Sequence, residues 1–291
     1  MNDTVSEAFE FENVDHQTYY QNQEIALNIL SEVSNYYSMP LCQIRYRHVI
    51  NFFFDHYDIR FSIFESKTSD PFSRYTNSDP STDLISFNAL MALKQVHIRA
   101  KQTNFVNPQF SDNVDGLTVN SNGKHAMFIN LTTNYFPRLI FTILHELSHI
   151  YLAESSDNYL GLVAKINKHK ACGDPYPNEL RPIETGANII ASELFANKLA
   201  LEKAINLNNT FDEMRATFGM SKGALHNRLL NYLEHSQHLG YEVAKDCTFK
   251  IRNNGQEGIN EVKGLILFTN GGSIHNPHTI NDAFDNTIHL K

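Results

Sequence analysis

The chain has 291 residues, with 24 Lys+Arg against 32 Asp+Glu, a formal net charge of −8, 42% hydrophobic and 19% charged residues. That length supports one large domain or two smaller ones with a substantial core, and the composition excludes an intrinsically disordered chain. The acidic balance argues against nucleic acid or an anionic membrane as the main partner, because both require a basic surface.

Residues 1–22 read as an acidic, flexible terminus. From 24 to about 37, Ala26, Leu30 and Val33 share one helical face and predict a helix. An apolar stretch at 48–54 leads into Asp58-Ile59-Arg60-Phe61-Ser62-Ile63-Phe64, whose alternation predicts a strand. Residues 67–82 are rich in Ser, Thr, Asp and Pro and read as a loop, while 84–100 fits helix or strand equally. Leu117-Thr118-Val119 and Met127-Phe128-Ile129 flank Asn122-Gly123, a hairpin signal. A helix then opens at Pro137 and runs through Leu139, Ile140, Ile143, Leu144, Leu147 and Ile150. Residues 155–182, punctuated by Gly and Pro, read as an irregular insertion with one short helix. A second strong helix is expected over 187–205, two shorter ones around Gly219-Met220-Ser221, and a turn-rich β tail from Tyr241.

Cys42, Cys172 and Cys247 are too few and too scattered for a disulfide framework or an all-thiolate metal site, which suits a reducing compartment. The start lacks the basic and apolar regions of a signal peptide, and no apolar run approaches the ~20 residues of a membrane span. A soluble, cytoplasmic protein is expected.

The chain contains 14 histidines, and two of them form the sharpest feature: His145-Glu146-Leu147-Ser148-His149, an H-E-x-x-H on a predicted helix. Histidines four apart lie one turn above each other and can grip one metal ion, and Glu146 sits close enough to handle a proton on water at that ion. Glu193 is available as a third ligand: it shares a helical face with Ile189, Ile190, Ala196 and Ala200, where a lone carboxylate is costly unless paired or metal-bound. Two histidines and a carboxylate would leave a fourth position for water, as catalytic zinc requires. Asn197, one turn further on, is placed to hydrogen-bond a ligand or simply the helix.

Phe141-Thr-Ile-Leu-His145-Glu-Leu-Ser-His149, followed by Glu193-Leu-Phe-Ala196-Asn197-Lys-Leu199-Ala200, resembles the ImmA/IrrE family of zincin-like metallopeptidases. Its usual pattern is F-T-x-x-H-E-x-x-H and then E-x-x-A-N-x-F-A. Asp115-Gly116, Phe128-Ile129-Asn130 and Phe218-Gly-Met-Ser221 with Ala224 and Arg228-Leu229 extend the likeness over roughly 115–235. The resemblance implies an α+β zincin-like core at 23–240, with a small mixed sheet beside the H-E-x-x-H helix and a helical pair at 206–240. A β-rich extension follows at 241–291. It implies His145, His149 and Glu193 as zinc ligands and Glu146 as general base. The implied activity is endopeptidase cleavage of a cytoplasmic regulatory protein such as a helix-turn-helix repressor. Ser148 in place of Gly, Leu199 in place of Phe, a long span between His149 and Glu193, and no Leu-Leu-Met-Pro ending are departures that bear on specificity more than on metal binding. His125 and Tyr151 are the candidates for stabilising an oxyanion, and the strand ending near Asn130 for aligning an extended substrate by edge pairing.

Other readings compete. A non-proteolytic regulator or toxin–antitoxin-type module would keep the zinc site and work by binding. The helices around Gly219 could form a DNA-reading pair with Lys222, His226 and Arg228 as the polar face, but Leu225, Leu229, Leu230 and Leu233 read as a packing stripe. Cys172 near His169, and His275, His278 and His289 in the tail, read as surface residues.

Overall fold

The computed structural model describes residues 14–66, 103–106, 114–121, 123–130, 136–155, 159, 178 and 180–269. The loop expected at 67–82, the ambiguous 84–100, most of the 155–182 insertion, Cys172 and the tail histidines lie outside the described residues.

Helix α1 spans His16–Tyr37 and begins inside the stretch read as a flexible terminus. Its start is fixed by Asp15, whose carboxylate accepts from the Thr18 backbone N–H at 2.9 Å, and its first turns are anchored because Tyr19 and Gln23 are buried. Helix α2, Tyr46–His56, feeds strand β1, Asp58–Ser66. β2 is Thr103–Val106, and β3, Gly116–Ser121, forms the expected hairpin with β4, Lys124–Asn130. Gly123 turns that hairpin at φ 71°, a left-handed conformation that glycine adopts without steric cost. The four strands lie in the order β2-β1-β4-β3, with β1 parallel to both β2 and β4 and β3 antiparallel to β4. β4 is therefore hydrogen-bonded on both sides and has no free edge for a substrate. Among the described residues, β3 carries the outer edge on that side of the sheet.

Helix α3, Phe136–Ser155, carries the H-E-x-x-H and is buried along its whole middle, residues 142–150. It packs against α4, Arg181–Phe195, and α4 in turn packs against α1. The helix expected over 187–205 is two helices. α4 stops at Phe195, Ala196 leaves the helical region, and Asn197 opens α5, Lys198–Asn206, by accepting from the Ala200 N–H at 2.8 Å. Asn is a strong N-cap, so the residue read as continuing a helix starts a new one.

Beyond lie α6, Phe211–Phe218, and α7, Lys222–Asn231, joined at Gly219 (φ 72°) with Ser221 capping α7. Leu225, Leu229 and Leu233 are buried, as the packing reading expects, and Arg228 is 0% exposed, so it presents nothing to DNA. A π-helical turn, Tyr232–Ser236, follows.

The tail is not β where it is described. Helices α8, Tyr241–Asn253, and α9, Gly255–Thr269, replace the expected strands through Thr269. Ala244, Cys247, Thr248 and Ile251 repeat at helical spacing and are buried, whereas Asn253-Asn254-Gly255 is the break between two helices. The whole is α+β, mostly helical with a small mixed sheet. No helix among the described residues is long and apolar enough to cross a membrane.

Candidate metal centre

The one-turn spacing of His145 and His149 brings their Nε2 atoms to 3.0 Å, with the rings nearly perpendicular at 85°. The carboxylate that meets them is Glu184. Its Oε1 lies 3.2 Å from His149 Nε2 and its Oε2 3.6 Å from His145 Nε2. Donor atoms held ~2.0–2.1 Å from a tetrahedral zinc are about 3.3 Å apart, so this set has the size and the chemistry of an N,N,O site. His145, His149 and Glu184 form one of two His/Glu groups, among the described residues, compact enough to hold an ion.

The outer nitrogens set the tautomers. His145 Nδ1 faces Asn188 Oδ1 at 2.9 Å; that oxygen only accepts, so the proton sits on Nδ1 and Nε2 offers a lone pair to the centre. His149 Nδ1 meets the Tyr159 hydroxyl at 3.0 Å, which allows the same arrangement. Two inward lone pairs 3.0 Å apart repel unless a cation or a proton lies between them, a need that a metal ion would meet. Burial pushes the His149 imidazole below its ordinary pKa and holds it neutral, the form that binds metal. Burial, then the charges of Glu184 and Glu146, push the Tyr159 phenol up and keep it protonated.

Glu146 is 1% exposed and lies against the start of β3. A Cβ on Gly116 would fall 2.5 Å from Thr142 Cγ2 and 2.9 Å from Glu146 Oε1, so the strand approaches the H-E-x-x-H helix at a distance only glycine permits. Ser148, buried at the position where the pattern usually has Gly, turns its hydroxyl to the Leu144 carbonyl at 2.8 Å and makes no demand on the site.

Glu193 is elsewhere, and the ligand expectation for it is corrected. Its Oε2 accepts from Arg228 Nη2 at 2.5 Å, and its Oε1 from the Tyr19 hydroxyl at 2.8 Å and Gln23 Nε2 at 2.7 Å. The premise that a buried carboxylate needs compensation is right; an arginine and two neutral donors supply it. Asn197 likewise caps α5 and donates to the Leu41 and Ile44 carbonyls rather than to a histidine. His125 pairs with Glu154 at 3.1 Å and Tyr151 donates to Glu32 at 3.0 Å, so both oxyanion candidates are engaged away from the histidine pair.

Glu184, Asn188 and Tyr159 are the residues that sequence reasoning missed, and a signal for two of them exists. E-x-x-A-N-x-x-A occurs twice in succession, at 184–191 and at 193–200. The first copy faces the histidines, with Glu184 and Asn188 one turn apart, and the second does not. No comparable signal marks Tyr159.

Residues 111–230 match the family model Peptidase_M78, the IrrE N-terminal-like domain. No curated protein and no solved structure matches the chain. The matched span runs from the β3–β4 hairpin through the H-E-x-x-H helix and both copies of the Glu/Asn pattern to α7, and over that span the chain is similar to the IrrE N-terminal-like domain.

Proposed function

We propose that the chain is a zinc-dependent endopeptidase with a zincin-like core, in which His145, His149 and Glu184 hold the metal and Glu146 is the general base. The observation that carries this reading is the convergence of both Nε2 atoms on the Glu184 carboxylate, with Glu146 buried on the same helix. A zinc ion, when bound, supplies a Lewis acid that acidifies water and polarises a peptide carbonyl. Glu146 takes the proton of the attacking water and returns it to the leaving amine. Asn188 and Tyr159 hold the two imidazoles so that Nε2 faces inward. The outer edge of β3 aligns an extended substrate: its first residue, Gly116, touches the helix at Glu146, so a strand paired there passes over the base.

The substrate is a regulatory protein, and a helix-turn-helix repressor is the first class to test. Candidate repressors from adjacent genes are incubated with the zinc-loaded chain and with Glu146→Gln. Fragments that appear only with the wild type support the endopeptidase. Release of an intact repressor from its operator, equal for both proteins, would replace it with a non-proteolytic regulator.

A further inference from the structure

A second cluster of metal-binding side chains joins the start of α1 to the π-helical turn, outside the span shared with the IrrE N-terminal-like family. His16 Nδ1 and His235 Nδ1 face each other at 2.9 Å, with ring centroids 4.7 Å apart and planes at 82°. Glu234 Oε2 lies 3.8 Å from His235 Nε2, and one donor atom from each of the three residues falls within 4.8 Å of one from each of the others. Glu234 and His235 are neighbours in sequence; an α-helix turns neighbours ~100° apart, and here they sit in the π-helical turn 232–236. The His235 ring is fixed from behind by stacking on Tyr19, with centroids 4.1 Å apart and planes at 14°.

Without a cation the cluster is costly. Glu234 is 9% exposed and its carboxylate pairs with His235; a carboxylate buried this far is costly unless compensated. His235 is 4% exposed, with one ring nitrogen toward His16 and the other toward Glu234. His16 is exposed and opens the cluster to solvent.

We infer that His16, Glu234 and His235 form a second, solvent-accessible site for a divalent transition ion of the zinc class, bracing α1 against the helical segment that follows α7. Two imidazoles and one carboxylate suit zinc, nickel or cobalt and are too nitrogen-rich for magnesium or calcium. The site is distinct from the His145/His149/Glu184 centre and does not depend on it.

The test is zinc titration of the full, untagged chain by calorimetry, with bound metal counted after dialysis against zinc alone. His16 is exposed, so His16→Ala folds. The wild type takes up a second zinc equivalent, weaker than the first; His16→Ala loses that equivalent and keeps the first. The double variant His145→Ala/His149→Ala loses the first and keeps the second. Zinc uptake that His16→Ala leaves unchanged overturns the proposal, as does an equivalent lost in His16→Ala that vanishes also with the His145/His149 pair.

Discussion

Glu184 and Glu193 lie nine residues apart on one helix, about two and a half turns, and so face opposite ways. Glu184 looks toward His145 and His149; Glu193 looks toward Arg228 and Tyr19. One helix thus serves two buried polar clusters. The Arg228 guanidinium reinforces the second, since its Nε also donates to the Ala196 carbonyl at 2.8 Å where α4 ends. The clamp on the far end of α4 fixes the helix that carries Glu184 and Asn188.

Glu146→Gln keeps the shape of the side chain and removes its basicity. Zinc content is expected to equal the wild type's, while cleavage falls by roughly 10²–10⁴-fold, the usual contribution of a positioned general base. Metal analysis and a single-turnover cleavage assay on the same preparation check both halves.

Asn188→Ala and Tyr159→Phe each remove the partner of an outer histidine nitrogen and leave the ligands in place. Each is expected to weaken zinc binding by about 10–100-fold. Competition with a chelator of known affinity measures this, and unchanged zinc affinity in both variants would refute the orienting role.

Arg228→Met leaves the Glu193 carboxylate buried beside Tyr19 and Gln23 without its cation. A loss of about 3–5 kcal/mol is expected for breaking one side of such a pair. Adding Glu193→Leu removes the orphaned charge and is expected to recover a large part of the loss, read from urea unfolding of the single and double variants.

His226 is half-buried against the Phe249 ring, 5.0 Å between centroids, and burial lowers its pKa below 6.5. The unfolded chain therefore binds its proton more readily than the folded one, so the His226 contribution to stability is full above pH 6.5 and is lost as pH falls through that range. Between pH 7.5 and 5.5 the wild type is expected to lose more unfolding free energy than His226→Phe. Equal losses would show that this histidine titrates alike in both states.

Much of the fold was legible where local chemistry decided it. The hairpin at Asn122-Gly123, the α3 stripe and the Gly219 turn each follow from residues that admit few alternatives. The errors came where two local readings were equally good and tertiary contacts chose. Asn197 continues a helical pattern and is also a good cap; its bonds to Leu41 and Ile44 favour the cap. Asn253-Asn254-Gly255 marks a turn, and nothing local says whether helices or strands flank it; burial of Ile251 and Ile259 against the core decides. In the candidate metal group, the pairing of His145 and His149 was readable because one helical turn fixes their geometry. The carboxylate that joins them, Glu184, was not, because the two copies of E-x-x-A-N-x-x-A are equivalent in sequence and only the packing of α4 between α3 and α1 tells them apart.

That distinction provides the most direct measurement: stoichiometric zinc content of Glu184→Gln and Glu193→Gln, each shown folded by circular dichroism. Glu184→Gln is expected to lose tightly bound zinc at the histidine pair, and Glu193→Gln to retain it while unfolding at lower urea. Zinc retained by folded Glu184→Gln and lost by folded Glu193→Gln would contradict the assignment.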